Sequence, residues 1–298
     1  HRHGVHDRAG SQRPVHLEPK FIRRAGRHHG RCSGRLALPG MAARPAGLDL
    51  ERRFGGLARL YGQAGALRIR QSHVAVVGVG GVGSWAAEAL ARCGLEAITL
   101  IDLDHVSESN INRQIHALDA TLGQAKVVAM RERIQSFNPA CQVSCIEAFV
   151  EPENWPGLLP SGVTAVIDAC DQVKAKIAMA VWALQSKQLF ISVGAAGGKR
   201  MAHRVDIDDL ANTSHDPLLA QVRYQLRKHH GVAREGKKIG LPVVFSREAV
   251  ASADPSSAAQ LDNSLNCHGY GSVVSVTATF GHCAAGWVID QLSQAARG

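Results

Sequence analysis

Short apolar runs and polar breaks alternate along residues 73–113 with the lengths of a strand–helix–strand unit. Val74 to Val77 form an apolar run that passes into glycines at 78, 80, 81 and 83. An alanine-rich stretch follows, and a second apolar run, Ile98 to Ile101, ends on Asp102. This pattern predicts a strand, a tight turn, a helix and a second strand. Gly123-Gln124-Ala125-Lys126 opens the next helix, with Val127, Val128, Met130 and Ile134 on its apolar face and Asn138-Pro139 as its stop. Val143–Ile146 predicts a third strand. Val163–Asp168 predicts an apolar, hence central and parallel, one.

The alternation continues with a helix over 173–187, a strand over 189–193, a strand over 203–208 and a helix over 218–230 opened by Asp216-Pro217. A short helix is expected in the Pro-bounded connection 151–159. Between 49 and 70, Leu57, Leu60, Tyr61, Ala64 and Leu67 mark a helical arm interrupted by glycines. Ser272 to Ile289 is without a formal charge and barely of membrane-span length. Its central Thr277, Thr279 and His282 favour a helix buried in the fold or in a dimer. The expected fold class is α/β, a doubly wound, Rossmann-like and mostly parallel sheet with a C-terminal extension.

Composition adds less than it promises. The formal charge is +9, but residues 1–40 hold nine Lys and Arg against Asp7 and Glu18, so the tail carries most of it. Basicity alone therefore does not argue for nucleic acid. Residues 1–48 show neither apolar period and are expected to be disordered or foreign to the domain, with Met41 the natural start. A basic tail that helps hold RNA is the alternative. Residues 49–298 are expected to form one domain, nucleotide-binding over about 72–200 and devoted to substrate and dimer contacts over about 201–298. A second basic concentration lies between Lys199 and Arg247; a solvated face is its simplest reading. The seven cysteines include no C-x-x-C pair and read as thiols in a reducing cytosol. The expected location is cytoplasmic, with peripheral membrane association left open.

The candidate chemistry sits at predicted strand ends. Gly78 suits the tight turn, Gly80 and Gly81 let phosphate approach the backbone, and Gly83 lets the helix pack closely on the strand. Free N–H groups at the helix start then face the phosphate. Asp102, nineteen residues after Gly83, is placed to accept from a ribose hydroxyl. Ser107 to Gln114 (SESNINRQ) is too polar for a core element, and its Arg113 suits phosphates. Asn110 or Ser109 could equally cap a turn. Lys126 in a first helical turn opposes the dipole preference, for which a fixed phosphate is a reason. Asp168 and Asp171, two acids at one strand end, suit Mg²⁺ bridging phosphates, or Asp171 merely caps a helix.

The set Gly78-Val-Gly-Gly-Val-Gly83, Asp102-Leu-Asp104, Ser109-Asn-Ile-Asn-Arg-Gln114, Gly123-Gln-Ala-Lys126 and Asp168-Ala-Cys-Asp171 resembles the ubiquitin-activating-like (ThiF-type) adenylyltransferases, in order and spacing. Arg53-Phe-Gly-Gly-Leu-Ala-Arg-Leu-Tyr-Gly62, Asn112 to Leu118, Val244 to Glu248 and Val276 to Gly281 are similar to the branch formed by the tRNA threonylcarbamoyladenosine dehydratases. Residues 1–48 have no counterpart there, the loop 251–271 is degenerate, and Leu241–Phe245 lacks a cysteine found in some relatives. Sulfur-carrier-activating relatives carry two C-x-x-C pairs, which this chain lacks.

The resemblance implies ATP and Mg²⁺, tRNA bearing threonylcarbamoyladenosine as substrate, a homodimer, and partner proteins of a sulfur-relay or desulfurase pathway. It implies an acyl-adenylate that cyclises with net loss of water. Nucleotide contacts would come from Gly78, Gly80, Gly81, Gly83, Asp102, Asp104, Asn110, Asn112, Arg113, Gln114 and Lys126. Arg113, Lys126 and Asp171 would act on the phosphates, Asp171 through the metal, and Arg59 would enter a neighbouring subunit's site. The competing expectations are an NAD(P)-dependent oxidoreductase, activation of a ubiquitin-like carrier protein, and a non-catalytic nucleotide-sensing scaffold.

Overall fold

Seven strands form one sheet in the order β3-β2-β1-β4-β5-β7-β6. In the computed structural model, which describes residues 49–251 and 270–294, these are β1 (His73–Val77), β2 (Ala97–Ile101), β3 (Gln142–Ile146), β4 (Ala165–Asp168), β5 (Leu189–Val193), β6 (Val205–Asp209) and β7 (Pro242–Ser246). All neighbours pair parallel except β6 with β7. The helices are α1 (Leu50–Phe54), α2 (Gly56–Arg70), α3 (Gly83–Arg92), α4 (Lys126–Phe137), α5 (Val173–Ser186), α6 (Pro217–His229) and α7 (Val274–Ser293). The expectations for residues 1–48 and for most of the loop 251–271 fall outside the described residues.

The period-two alternation of the strands divides the core between two faces. Val74, Val76, Ile98, Leu100 and Ile167 point to a layer holding Leu90 of α3, Met130 and Ile134 of α4, and Phe280 and Val288 of α7. Ala75, Val77, Ile101 and Val166 point to the opposite layer, with Met179 of α5 and Leu219, Val222 and Leu226 of α6. Burial on both faces is why these strands read as continuous apolar runs. The chain leaves β1 toward β2 and β3 on one side and toward β4 and β5 on the other. The switch between β1 and β4 opens a crevice at their carboxyl ends, where such sheets bind ligands.

The uncharged C-terminal stretch is the buried helix α7, lying against α3. A Cβ on Gly281 would come within 2.5 Å of the Val82 carbonyl, so glycine permits the close approach. No helix among the described residues is long and apolar enough to cross a membrane. The arm over 50–70 is helical but broken at Gly62, whose φ of 73° departs from the helix.

Two local expectations need correction. Residues 151–159 form successive turns and no helix. Strand β7 is an element that the apolar pattern did not announce: Pro242 stands at its first position, where strands tolerate proline, and basic segments flank it.

Candidate active site

The crevice between β1 and β4 is a cleft of about 530 Å³. The glycine turn after β1 forms one wall. Gly78 has φ +83°, and a Cβ there would lie 2.8 Å from the Ala169 carbonyl after β4. A Cβ on Gly83 would strike the Gly78 carbonyl at 1.7 Å, so α3 can begin this close to β1 only with glycine there. Gly81 is crowded by the Arg113 stem and Thr277, each 3.4 Å from a built Cβ. A Cβ on Gly80, which lines the cleft, would meet only Gln114 Nε2, at an ordinary contact distance of 3.8 Å.

The turn is clamped from two sides through Val79. Its N–H donates to Asp102 Oδ2 at 2.6 Å, and its carbonyl pairs with His116 Nε2 at 2.9 Å. The other Asp102 oxygen accepts from the Asp104 amide at 2.9 Å. Burial raises the Asp102 pKa, while the Lys126 charge and the two amides pull against it. Burial lowers the buried His116 to about 4, so this imidazole is neutral near neutrality.

The polar stretch 107–114 is more buried than its composition suggests. Asn110, Arg113 and Gln114 are all buried and line the cleft. Asn110 Oδ1 accepts from the Ser107 amide at 3.0 Å, so it is a turn cap as well as a wall residue. Arg113 Nη1 donates to the Ser109 carbonyl at 2.8 Å and to Asn112 Oδ1 at 2.9 Å. Its own carbonyl accepts from Trp85 Nε1 of α3 at 2.9 Å. Gln114 Oε1 is buried without a protein partner. Asn112 is exposed and stands off the cleft; its amide donates to the Ser272 carbonyl and its oxygen steadies Arg113.

Lys126 is buried, lines the cleft and donates to Asp104 Oδ2 at 2.9 Å. The protein itself thus supplies an anion for the cation that begins α4. Asp171 is exposed at the cleft and does not cap α5, whose N-cap is Gln172.

Asp168 departs from its expected role. It is wholly buried and bound to Lys176 Nζ at 3.0 Å and to Ser192 Oγ at 2.6 Å, so it is not available to a metal. Lys176 Nζ also reaches the Val193 carbonyl at 2.7 Å. Burial works against the Lys176 charge, but the Asp168 carboxylate outweighs it and holds the pKa up. Burial and the same carboxylate push the Cys170 thiol well above its ordinary value, leaving a poor nucleophile. Arg59, on α2, is exposed and does not reach the cleft of its own chain.

The cleft therefore joins a glycine turn, the two buried cations Arg113 and Lys126, and the three carboxylates Asp102, Asp104 and Asp171. Residues 53–297 match the ThiF family. The chain belongs to the ThiF family. Over 246 residues it is 41% identical to the tRNA threonylcarbamoyladenosine dehydratase of Haemophilus influenzae, covering 82% of this chain and 94% of that one. It is equally 41% identical to the Escherichia coli dehydratase over 256 residues, with 83% and 96% covered. The crystal structure of that E. coli enzyme in complex with ATP matches at a TM-score of 0.75, covering 83% of this chain and 96% of that chain. Its complex with AMP matches at the same TM-score.

Several residues in and beside this ThiF-family cleft escape the sequence pattern. Thr277 of α7 lines it, and its hydroxyl faces the Arg113 carbonyl at 3.5 Å. In the sequence, Thr277 marked this stretch only as a buried helix and not as part of a site. Phe149, half-exposed after β3, lines the same cleft. Asp216 is buried, accepting from the amides of Leu219 at 3.0 Å and Ala195 at 2.9 Å, and so ties α6 to the loop after β5. Its position before Pro217 announced only the cap.

Proposed function

We propose that this chain catalyses the ATP-dependent dehydration of threonylcarbamoyladenosine in tRNA through an acyl-adenylate. The observation that carries the reading is the gathering of the glycine turn, Asp102, Arg113, Lys126 and Asp171 about one cleft. An NAD(P) oxidoreductase needs the glycines and Asp102, but leaves the two cations and Asp171 without a task.

In this reading Asp102 accepts from the ribose while Gly80 and Gly81 admit the phosphates to the backbone amides and Gly78 and Gly83 shape the turn that presents them. Arg113, Lys126, Asn110 and Gln114 face the triphosphate, to which Gln114 can donate only through its Nε2 amide. Asn112 and Asp104 act behind them, steadying Arg113 and Lys126. The substrate carboxylate oxygen attacks the α-phosphorus, and the bond to pyrophosphate breaks. The carbamoyl nitrogen then attacks the activated carbonyl and loses its proton, and AMP leaves with the carboxylate oxygen. The net loss from the nucleoside is one water. Ring closure is intramolecular, so the protein contributes positioning and charge stabilisation.

Asp171 fits Mg²⁺ because the ion usually takes one or two carboxylates plus substrate phosphates, and this carboxylate stands exposed at the cleft. When bound, Mg²⁺ would neutralise phosphate charge. Arg59 stands away from its own cleft on a helix with Leu60 and Leu67 exposed, which suits insertion into a second copy's site and a homodimer. A cytoplasmic location and sulfur-relay or desulfurase-pathway partners belong to the same reading.

The test is incubation with ATP, Mg²⁺ and threonylcarbamoylated tRNA. The nucleoside should lose the mass of one water while AMP and pyrophosphate form. Thermal stabilisation by NAD⁺ alone, or pyrophosphate release driven by a carrier protein in place of tRNA, would overturn it.

A further inference from the structure

The outer end of α6 carries a cluster that the cleft chemistry does not use. Lys228, His229, His230, Arg234, Lys237 and Lys238 are all exposed, with Glu235 the one acid among them. None of Lys228, Arg234, Lys237 and Lys238 takes part in an ion pair among the described residues, whereas Arg92 and Arg133 share Glu88 and Arg247 pairs with Asp206. Unpaired like charges crowded together repel one another, which a merely solvating face avoids by mixing signs.

The cluster rests on a fixed scaffold. Arg227 Nε binds the Ala233 carbonyl at 3.3 Å, folding the chain back on α6, and the Lys237 amide closes a turn on the Arg234 carbonyl at 3.2 Å. The amides of Ile239 and Gly240 donate to the Asp209 carboxylate at 2.9 and 2.7 Å, anchoring the far side to β6. Tyr224, one turn before Lys228, is 57% exposed, with the Lys228 ammonium 5.5 Å from its ring centre. Exposed cations interleaved with an aromatic face suit RNA, whose phosphates take the charge and whose bases stack.

Helix α6 also starts at the cleft. Leu218 lines it, and Asp216 fastens the helix start to the loop after β5. Thirteen helical residues span roughly 20 Å at about 1.5 Å each. We infer that α6 and the turn after it form the tRNA-binding surface, holding phosphates several nucleotides from the adenosine seated in the cleft. The inference rests on the proposed reaction for the identity of the RNA.

The test is the combined variant Lys228→Glu, Arg234→Glu, Lys237→Glu and Lys238→Glu, all at exposed positions away from the cleft. ATP–Mg²⁺ should raise its melting temperature as it does for the unaltered protein, which reports an intact cleft. KM for modified tRNA should rise about tenfold or more with little change in kcat. The slope of log binding against log salt should be shallower by roughly one for each phosphate that the variant no longer holds. Tyr224→Ala should weaken tRNA binding without changing that slope. An unchanged KM and salt slope in the fourfold variant would overturn the surface. If the unaltered protein binds tRNA through this salt-sensitive patch yet never dehydrates the nucleoside, the reaction fails and the surface stands.

Discussion

Asp102 and Val79 are joined by a 2.6 Å hydrogen bond from the Val79 amide to the Asp102 carboxylate, which ties the end of β2 to the glycine turn after β1. The residue proposed to hold the ribose therefore also shapes the phosphate turn. In Asp102→Asn, one carboxylate oxygen becomes a donor that faces an amide donor, leaving a buried group unpaired at a cost of about 1–3 kcal/mol. ATP affinity should fall at least about tenfold, roughly 1.4 kcal/mol, and the melting temperature should drop as well. Calorimetric titration with ATP checks the first; an unchanged Kd removes Asp102 from the ribose.

Arg113 and Lys126 are buried cations at the same cleft. Arg113→Ala and Lys126→Ala should each reduce turnover by about two or more orders of magnitude, the usual scale for lost transition-state charge stabilisation. Arg113→Lys should not restore it, because a point charge replaces a planar fork. Single-turnover kinetics of AMP formation would decide. Near-normal rates in either alanine variant would put the phosphates elsewhere.

Asp168 and Asp171 should separate by assay. Asp171 is exposed, so Asp171→Asn should leave the melting temperature near that of the unaltered protein while the dependence of turnover on Mg²⁺ flattens. Asp168 shares a fully buried pair with Lys176, and Asp168→Ala should cost about 3–5 kcal/mol of stability, because a buried charge loses its partner. Denaturant unfolding beside a Mg²⁺ titration distinguishes the two. A normal Mg²⁺ response in Asp171→Asn removes it from the metal site.

His116 makes the glycine turn sensitive to acid. Its pKa of about 4 in the fold lies below the usual 6.5, because burial disfavours the charged form. Between those values the unfolded chain binds more protons than the fold, so stability falls as pH falls from 6.5 toward 4. This one group contributes no more than about 1.4 kcal/mol per pH unit. Its stabilising contribution is complete above 6.5. Unfolding free energies measured from pH 7 to pH 4 should show a shallower slope in His116→Gln than in the unaltered protein. Equal slopes would assign the acid sensitivity to other groups.

Much of this molecule is legible along the chain. The apolar runs place β1, β2, β4 and β5 because strands buried on both faces admit almost nothing polar. The glycine spacing marks the turn because conformation at Gly78 and close approach at Gly83 are short-range demands of the backbone. Side-chain partners are a different matter. Lys176 looks like any helix-surface lysine until α5 lies on the sheet and buries it against Asp168 and Ser192. Asn110 and Asn112 are two residues apart and alike in chemistry, yet only the turn geometry sends one into the cleft and the other toward Ser272. The uncharged C-terminal stretch declared a helix, but its seat on α3, and Thr277 in the cleft, depended on Gly281 meeting Val82 across the fold. Local backbone preference and burial period can be read from neighbours in the chain. Which charge meets which carboxylate is decided by elements far apart in it, and only packing brings those together.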